Sequence, residues 1–309
     1  DAIDWVLRKA KKSEEPFGGT QIVMFGDPYQ LPPIVNDGEL SRYFADNYGG
    51  PFFFHAKVWQ NTDFKKLELD HIFRQKQDSF IELLNSIRVG NIQEETLSQI
   101  NNQVSTIHDE SYLTLATTNN KVTQINTFHL NKITHPTFIY RAQIKGELDN
   151  KSFPADEFLE LKAGSQVMML KNDKDKRWVN GSLGTITILN PEAITVNIKG
   201  VDHVVQKETW KRISYFYNQV EKKIEEQIVS EFTQYPIRLA WAVTIHKSQG
   251  QTYEKVRIDL ESGAFAEGQT YVALSRCTTL EGIKLVRPIQ LKDIKVNPQV
   301  REFMGDFVV

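Results

Sequence analysis

Four short segments carry residue types suited to phosphate and nucleic-acid chemistry. The first is Phe25-Gly26-Asp27-Pro28-Tyr29-Gln30-Leu31-Pro32-Pro33-Ile34, where a carboxylate and a neutral amide lie three residues apart on a proline-stiffened loop. A neutral amide bonds a phosphate oxygen or orients a water, so it can register whether a terminal phosphate is present. In open α/β sheets such groups work beyond the C-terminal ends of the strands. Alone, Gly-Asp-x-x-Gln also suits a proline-rich turn capped by Asp27; the ten-residue string is far more specific. The second segment, His71-Ile72-Phe73-Arg74-Gln75, offers Arg74. Its planar fork donates bidentately to phosphate and stays charged, although a lone arginine reads first as a surface ion-pair residue.

The third segment runs Arg238-Leu239-Ala240-Trp241-Ala242-Val243-Thr244-Ile245-His246-Lys247-Ser248-Gln249-Gly250-Gln251-Thr252. An apolar stretch delivers Thr244, His246, Lys247 and Ser248, then Gly250, where backbone can approach a ligand. Such donors grip a nucleic-acid backbone, and His246 can stack on a base; the bland alternative is a polar turn after a buried strand. The fourth, Tyr271-Val272-Ala273-Leu274-Ser275-Arg276, reads as a helix with an apolar face and Arg276 near its end. An arginine reaching a γ-phosphate stabilises transition-state charge, worth about 10³ to 10⁵ in rate. Otherwise it interacts with its own helix C-terminus.

These residues need elements to hold them. Asp1 to Lys12 reads as the end of an amphipathic helix with Ile3, Val6, Leu7 and Ala10 on one face, stopped by Pro16, Gly18 and Gly19. Gln21-Ile22-Val23-Met24-Phe25 has the apolar run expected of a strand buried on both faces of a parallel sheet. Phe80, Leu83, Leu84 and Ile87 fall at helical spacing, with Gly90 as the C-cap. Two strand–helix units follow: Tyr112–Ala116 with Lys121–Lys132 behind an N-cap-rich Thr117-Thr118-Asn119-Asn120, and Lys255–Leu260 with Thr270–Arg276. Alternating strands and helices imply an α/β fold with a parallel sheet. Between them, Thr185–Leu189 and Ala193–Ile198 alternate, with Ile186/Ile188 and Ile194/Val196/Ile198 on one face, so an antiparallel β insertion is expected. Val220 to Phe232 fits either a helix or a further strand of that insertion.

Composition narrows the function classes. The 309 residues are 40% hydrophobic and 25% charged, enough for sizeable cores. Thirty-seven basic against 39 acidic residues leave a net charge of −2, which rules out a polycationic nucleic-acid coat but not a local basic groove. The single cysteine, Cys277, excludes internal disulfides and a cysteine-rich zinc site, and the histidines show no metal-ligand spacing, so no metal site is expected. No apolar run is long enough for a membrane span and no signal-peptide pattern is present. A soluble protein of a reducing compartment is expected: the cytoplasm, at a bacterial nucleoid, ahead of the nucleus or mitochondrion. Phe52-Phe53-Phe54 with Trp59 reads as core, and Lys171–Arg177 as a solvated loop.

In order and wording, the strings GDPYQLPPI, FRQ, LAWAVTIHKSQGQT and YVALSR resemble motifs III, IV, V and VI of superfamily 1 helicases, specifically the Pif-type DNA helicases, with RecD-type enzymes as near relatives. The likeness extends to Pro16-Phe17-Gly18-Gly19 and to the Leu161–Gly184 stretch. It implies two RecA-like P-loop NTPase lobes with a parallel sheet and an inserted small SH3-like β-barrel. Residues 1–75 would be a remnant of the first lobe, 76–184 and 236–309 the second lobe, and 185–235 the insertion. The implied activity is 5′-to-3′ DNA unwinding driven by ATP hydrolysis. Gln30 would sense the γ-phosphate, Asp27 would sit beside the attacking water or magnesium, and Arg74 and Arg276 would reach the γ-phosphate. Gly26, Gly250 and Glu254 would lie near the nucleotide, and Thr117, Asn119, Thr244, His246, Lys247 and Ser248 along the DNA. The implied partners are ATP with Mg2+, single-stranded DNA and forked duplex, with no membrane, and the implied state is a monomer.

One departure bears on activity. The family's GxxxxGK[ST] loop and strand-end Asp-Glu pair have no counterpart here: no Gly-Lys pair occurs anywhere, and Asp109-Glu110 within His108-Asp109-Glu110-Ser111 precedes a strand. The expectation is a C-terminal piece of a helicase, inactive as an ATPase on its own. A non-catalytic single-strand-binding module and an RNA helicase of the same superfamily stand as alternatives.

Overall fold

The computed structural model describes residues 1–35, 37–106, 109–148, 153–218 and 221–305. In chain order, α1 (Ala2–Lys11), α2 (Gly38–Tyr48), α3 (Lys57–Gln60), α4 (Asp78–Val89) and α5 (Glu94–Asn101) precede β1 (Leu113–Ala116) and α6 (Asn119–Lys132). A run of strands follows: β2 (Phe138–Arg141), β3 (Gln143–Gly146), β4 (Phe158–Leu161), β5 (Gln166–Met169), β6 (Leu183–Asn190), β7 (Ala193–Ile198) and β8 (Val201–Val205). The chain ends through β9 (Glu208–Asn218), β10 (Lys223–Gln234), β11 (Ile237–Leu239), β12 (Ala242–Thr244), β13 (Val256–Asp259), α7 (Gln269–Leu274), β14 (Ile283–Leu285) and α8 (Pro298–Gly305). Two compact units result, residues 1–107 with 252–309, and residues 108–251.

In the first unit, α4 buries Phe80, Leu83, Leu84 and Ile87 and stops at Gly90, whose φ of 70° only glycine adopts cheaply. β13 and β14 pair in parallel, Val256 opposite Ile283 and Ile258 opposite Leu285. The aromatic run packs as core: Phe54 stacks on Phe303 of α8 at 4.3 Å between ring centres, and Phe52 and Tyr29 are buried in the same cluster. Phe53 lies at its edge, 45% exposed. α1 forms as expected, yet Ile3 and Val6 on its apolar face are 67% and 54% exposed.

The strand expected at Gln21–Phe25 does not form. A parallel strand exists only where neighbours take up its N–H and C=O groups, and among the described residues none pairs with this segment. It runs as irregular chain, with Val23 66% and Phe25 87% exposed.

In the second unit, β1 pairs in parallel with β12, Leu115 opposite Val243, and all four β1 residues are buried. Thr118 caps α6 by accepting from the Lys121 N–H at 3.2 Å. Asn126 then ties that helix to β12 through both of its amide groups, accepting from the Ala242 N–H (2.9 Å) and donating to the Ala242 carbonyl (3.1 Å). This explains a buried asparagine on an otherwise apolar helix face.

The insertion is antiparallel and five-stranded, in the order β11-β5-β6-β7-β8, so strands flanking residues 185–235 belong to the same sheet. Ile186, Ile194, Val196 and Ile198 are buried in its core. Ile188 is not: the register slips between Ile186 and Ile188, and the irregularity turns Ile188 outward to 51% exposure. Residues 223–232 of the ambiguous segment are strand, part of β10, which pairs with β9 in a long hairpin; Val220 lies outside the described residues. Asp109 and Glu110 precede β1, with Glu110 3.4 Å from His129; His108 lies outside the described residues.

Candidate nucleotide and nucleic-acid sites

In the unit formed by residues 1–107 and 252–309, the proline-rich loop folds around Asp27. Its carboxylate accepts from the Tyr29 N–H and the Gln30 side-chain amide, both at 3.2 Å, and its carbonyl accepts from the Gln30 N–H at 3.1 Å. An Asx turn thus aims the amide that the sequence singled out. Tyr29 is buried, and its carbonyl passes the start of α7. A Cβ on Gly268, the α7 N-cap residue, would lie 2.4 Å from the Tyr29 oxygen, and φ at Gly268 is 68°. Only glycine permits that approach.

Arg74 and Arg276 both bond to Ser275, Arg74 through the carbonyl and Arg276 through the hydroxyl. Arg74 donates from Nε to the Thr252 hydroxyl (2.8 Å) and from a terminal nitrogen to the Ser275 carbonyl (3.0 Å). The buried Gln75 amide donates to that carbonyl (3.2 Å) and to the Cys277 carbonyl (2.8 Å). Arg276 is 2% exposed and donates to the Val272 carbonyl and the Ser275 hydroxyl, each at 2.9 Å.

The electrostatics favour an anion. Burial, then the like charge of Arg74, pushes Arg276 down to about 10, and burial also lowers Arg74. Two guanidinium groups held close in a desolvated place repel each other, and an arriving polyanion relieves that repulsion. Burial and the Asp27 carboxylate push the Tyr271 hydroxyl up to about 12, so it stays a proton donor at neutral pH. Cationic forks, one neutral amide and one carboxylate are what recognition of a terminal phosphate requires.

The other residues expected at this site are placed less tightly. Gly26 is exposed with open space about its Cα. The Glu254 side chain is exposed, while its carbonyl accepts from the Cys277 thiol at 3.3 Å. Gly250, in the other unit, adopts φ 76° with nothing near it.

In the unit of residues 108–251, β12 leads into a tight turn. The Thr244 hydroxyl accepts from the Lys247 N–H (3.2 Å), and the Ser248 hydroxyl donates to the Ile245 carbonyl (2.7 Å). Thr244 and Ser248 are buried, at 6% and 0% exposure, so these two hydroxyls shape the turn from inside. Lys247 is exposed and His246 half-buried. Burial lowers His246, and burial and then Arg238 lower Lys247. Thr117 is buried before α6, and Asn119 is exposed at its first turn.

Gln75, Thr252 and Gly268 join the site although none carries a chemical signal of its own in the sequence. Gln75 lay beside Arg74 in the FRQ string, and Thr252 ended the third segment. Gly268 had no signal beyond preceding a helix.

Comparison with known proteins bears on the fold and the family. Residues 1–98 match the PIF1-like helicase family and residues 147–189 the 2B domain of DNA helicase Pif1. The chain is 31% identical over 310 residues to the ATP-dependent DNA helicase Pif1 of Bdellovibrio bacteriovorus, covering 97% of this chain and 65% of that protein. It resembles crystal structures of Bacteroides Pif1 bound to single-stranded DNA (37% identity, TM-score 0.76) and of Bacteroides sp. Pif1 in complex with ADP-AlF4 (37%, TM-score 0.82). Each comparison covers 99% of this chain and 71% of that one. Fold and site therefore define a RecA-like α/β protein with an SH3-like insertion. The chain belongs to the PIF1-like helicase family. It spans about half the length of the curated relatives it matches, 47% of the Emericella nidulans helicase and 65% of the Bdellovibrio one.

Proposed function

We propose that this chain works within an ATP-dependent DNA helicase, supplying the phosphate-sensing and strand-gripping parts. The observation that carries the reading is the convergence of Arg74, Arg276 and Tyr271 with the Asp27–Gln30 loop in one unit. Gln30 senses the terminal phosphate, and Arg74 and Arg276 neutralise charge that develops on it during transfer. Gln75, by holding the Ser275 carbonyl, steadies the residue that both arginines bond, Arg74 through its carbonyl and Arg276 through its hydroxyl. His246 and Lys247 contact single-stranded DNA, with Asn119 donating to a phosphate near the N-terminus of α6. Bacteroides Pif1 has been crystallised with single-stranded DNA and with ADP-AlF4, and a further Pif1 structure concerns unwinding at forked duplex DNA, which supports DNA and nucleotide as partners.

Magnesium accompanies nucleotide phosphates in such chemistry and screens their charge. Among the described residues no group of three carboxylate, histidine or cysteine side chains could cage it, and Asp27, the carboxylate of the sensing loop, is already engaged by three donors.

The test is DNA-stimulated ATP hydrolysis and 5′-to-3′ unwinding by the complete protein. Turnover that rises with single-stranded DNA and collapses in Arg276→Ala supports the reading. Unwinding retained by Arg276→Ala sinks the arginine assignment, and stimulation by RNA but not DNA sinks the choice of DNA.

A further inference from the structure

We propose that Arg88 is a positioning residue for the phosphate-sensing amide, holding Asp27, and through it Gln30, in register with Arg74 and with Arg276 just past the end of α7. This rests on the helicase reading above.

Arg88 sits in the last turn of α4, where an arginine needs only solvent and the helix C-terminus for company. Its fork instead reaches two carboxylates from other segments, Asp27 at 3.4 Å and Glu68 at 3.1 Å, with its carbon 4.6 Å from the centre of the Tyr29 ring. The side chain is only 20% exposed. Burial works against its charge, yet Asp27, Tyr271 and Glu68 outweigh burial and raise its pKa. So the ion pair is a settled one.

The placement of α4 makes this contact consequential. The helix starts three residues after Gln75, which anchors on Ser275, and it packs against α7. One rigid rod therefore carries the Arg74–Gln75 anchor before its first turn and the Asp27 clamp in its last. The sensing loop is gripped from both sides: Arg88 stacks on the Tyr29 ring, and Gly268 at the head of α7 abuts the Tyr29 carbonyl. Asp27 in turn orients the Gln30 amide. Arg88 also offsets the Asp27 charge, which would otherwise repel an approaching phosphate.

The experiment is a double-mutant cycle on DNA-stimulated ATPase of the complete protein, with Arg88→Ala, Gln30→Ala and the pair. Arg88→Ala should lower kcat roughly tenfold, about 1.4 kcal/mol, with single-strand Kd within about twofold of wild type. In the Gln30→Ala background the same change should cost less than about threefold, because the amide it positions is gone. Arg88→Lys should recover part of the rate, since a lysine keeps the charge but cannot fork between two carboxylates. Wild-type kcat in Arg88→Ala, or losses that multiply in full in the pair, would overturn the proposal. Should Arg88→Ala fail to fold, Arg88→Lys with and without Gln30→Ala completes the cycle and is judged by the same criterion. Absence of DNA-stimulated turnover in the wild type would overturn the helicase reading, and this proposal with it.

Discussion

The two candidate sites are built in opposite ways. The arginine cluster draws on residues 27–30, 74–75, 88, 252 and 268–276, and the bond from Arg74 to the Ser275 carbonyl spans 201 positions of chain. The 244–248 turn draws on a handful of consecutive residues, its internal bonds spanning three positions each. In the first, side chains lean on backbone carbonyls from elsewhere, so removing one leaves a buried polar group unsatisfied. In the second, the internal bonds run through the Thr244 and Ser248 hydroxyls and the Lys247 N–H, so the side chains of His246 and Lys247 take no part in them. On the proposed function, the interlocked site is the one that feels a phosphate and the local one the site that grips and releases a strand.

If that contrast is right, substitutions in the cluster should cost turnover or stability, and those in the turn only DNA affinity. The largest effect belongs to Arg276→Ala, expected to lower kcat of the complete protein by at least about 10³, roughly 4 kcal/mol. Its single-strand affinity should stay near wild type, and a parallel fall in affinity would blur the contrast. Next comes Gln75→Leu, which strips the side-chain donor from the Cys277 carbonyl and one of the two from the Ser275 carbonyl, where Arg74 remains. Thermal or denaturant unfolding should show a loss of about 1–3 kcal/mol. Gly268→Ala should cost a similar ~1–3 kcal/mol, because its Cβ meets a backbone oxygen and its φ is positive. An unfolding midpoint unchanged in both variants would mean that the loop and α7 are not locked together.

How much of this is legible in the sequence follows the same division. α4 reads directly from Phe80, Leu83, Leu84 and Ile87 with Gly90 after them, because a helix is a local pattern. The β6–β7 hairpin reads from its alternation, but the slip that turns Ile188 outward does not, since a bulge is set by both strands. Arg74 and Arg276 stand out through their motif strings. Arg88 does not: as the last-turn arginine of an amphipathic helix it looks like solvated charge, and only the fold brings Asp27 and Glu68 to it. Gln21–Phe25 shows the limit from the other side, since an apolar run specifies a strand only when partners are present.

The smallest effects test the local site, and they separate charge from shape. Lys247→Ala should weaken single-strand binding modestly and reduce the slope of log affinity against log salt by about one phosphate contact. His246→Gln should weaken binding yet leave that slope unchanged, because burial lowers the His246 pKa and the ring is neutral at pH 7. The same shift predicts a pH effect of defined sign. With the folded pKa below the ordinary value of about 6.5, the unfolded chain takes up the proton first as pH falls. The contribution of neutral His246 is therefore complete above about pH 6.5 and is lost as pH drops through the lower folded value. Between pH 7 and 5 the thermal midpoint of the wild type should fall slightly more than that of His246→Gln. Equal falls in the two proteins would show that the ring is as well solvated as in the unfolded chain, and that the turn carries no buried base.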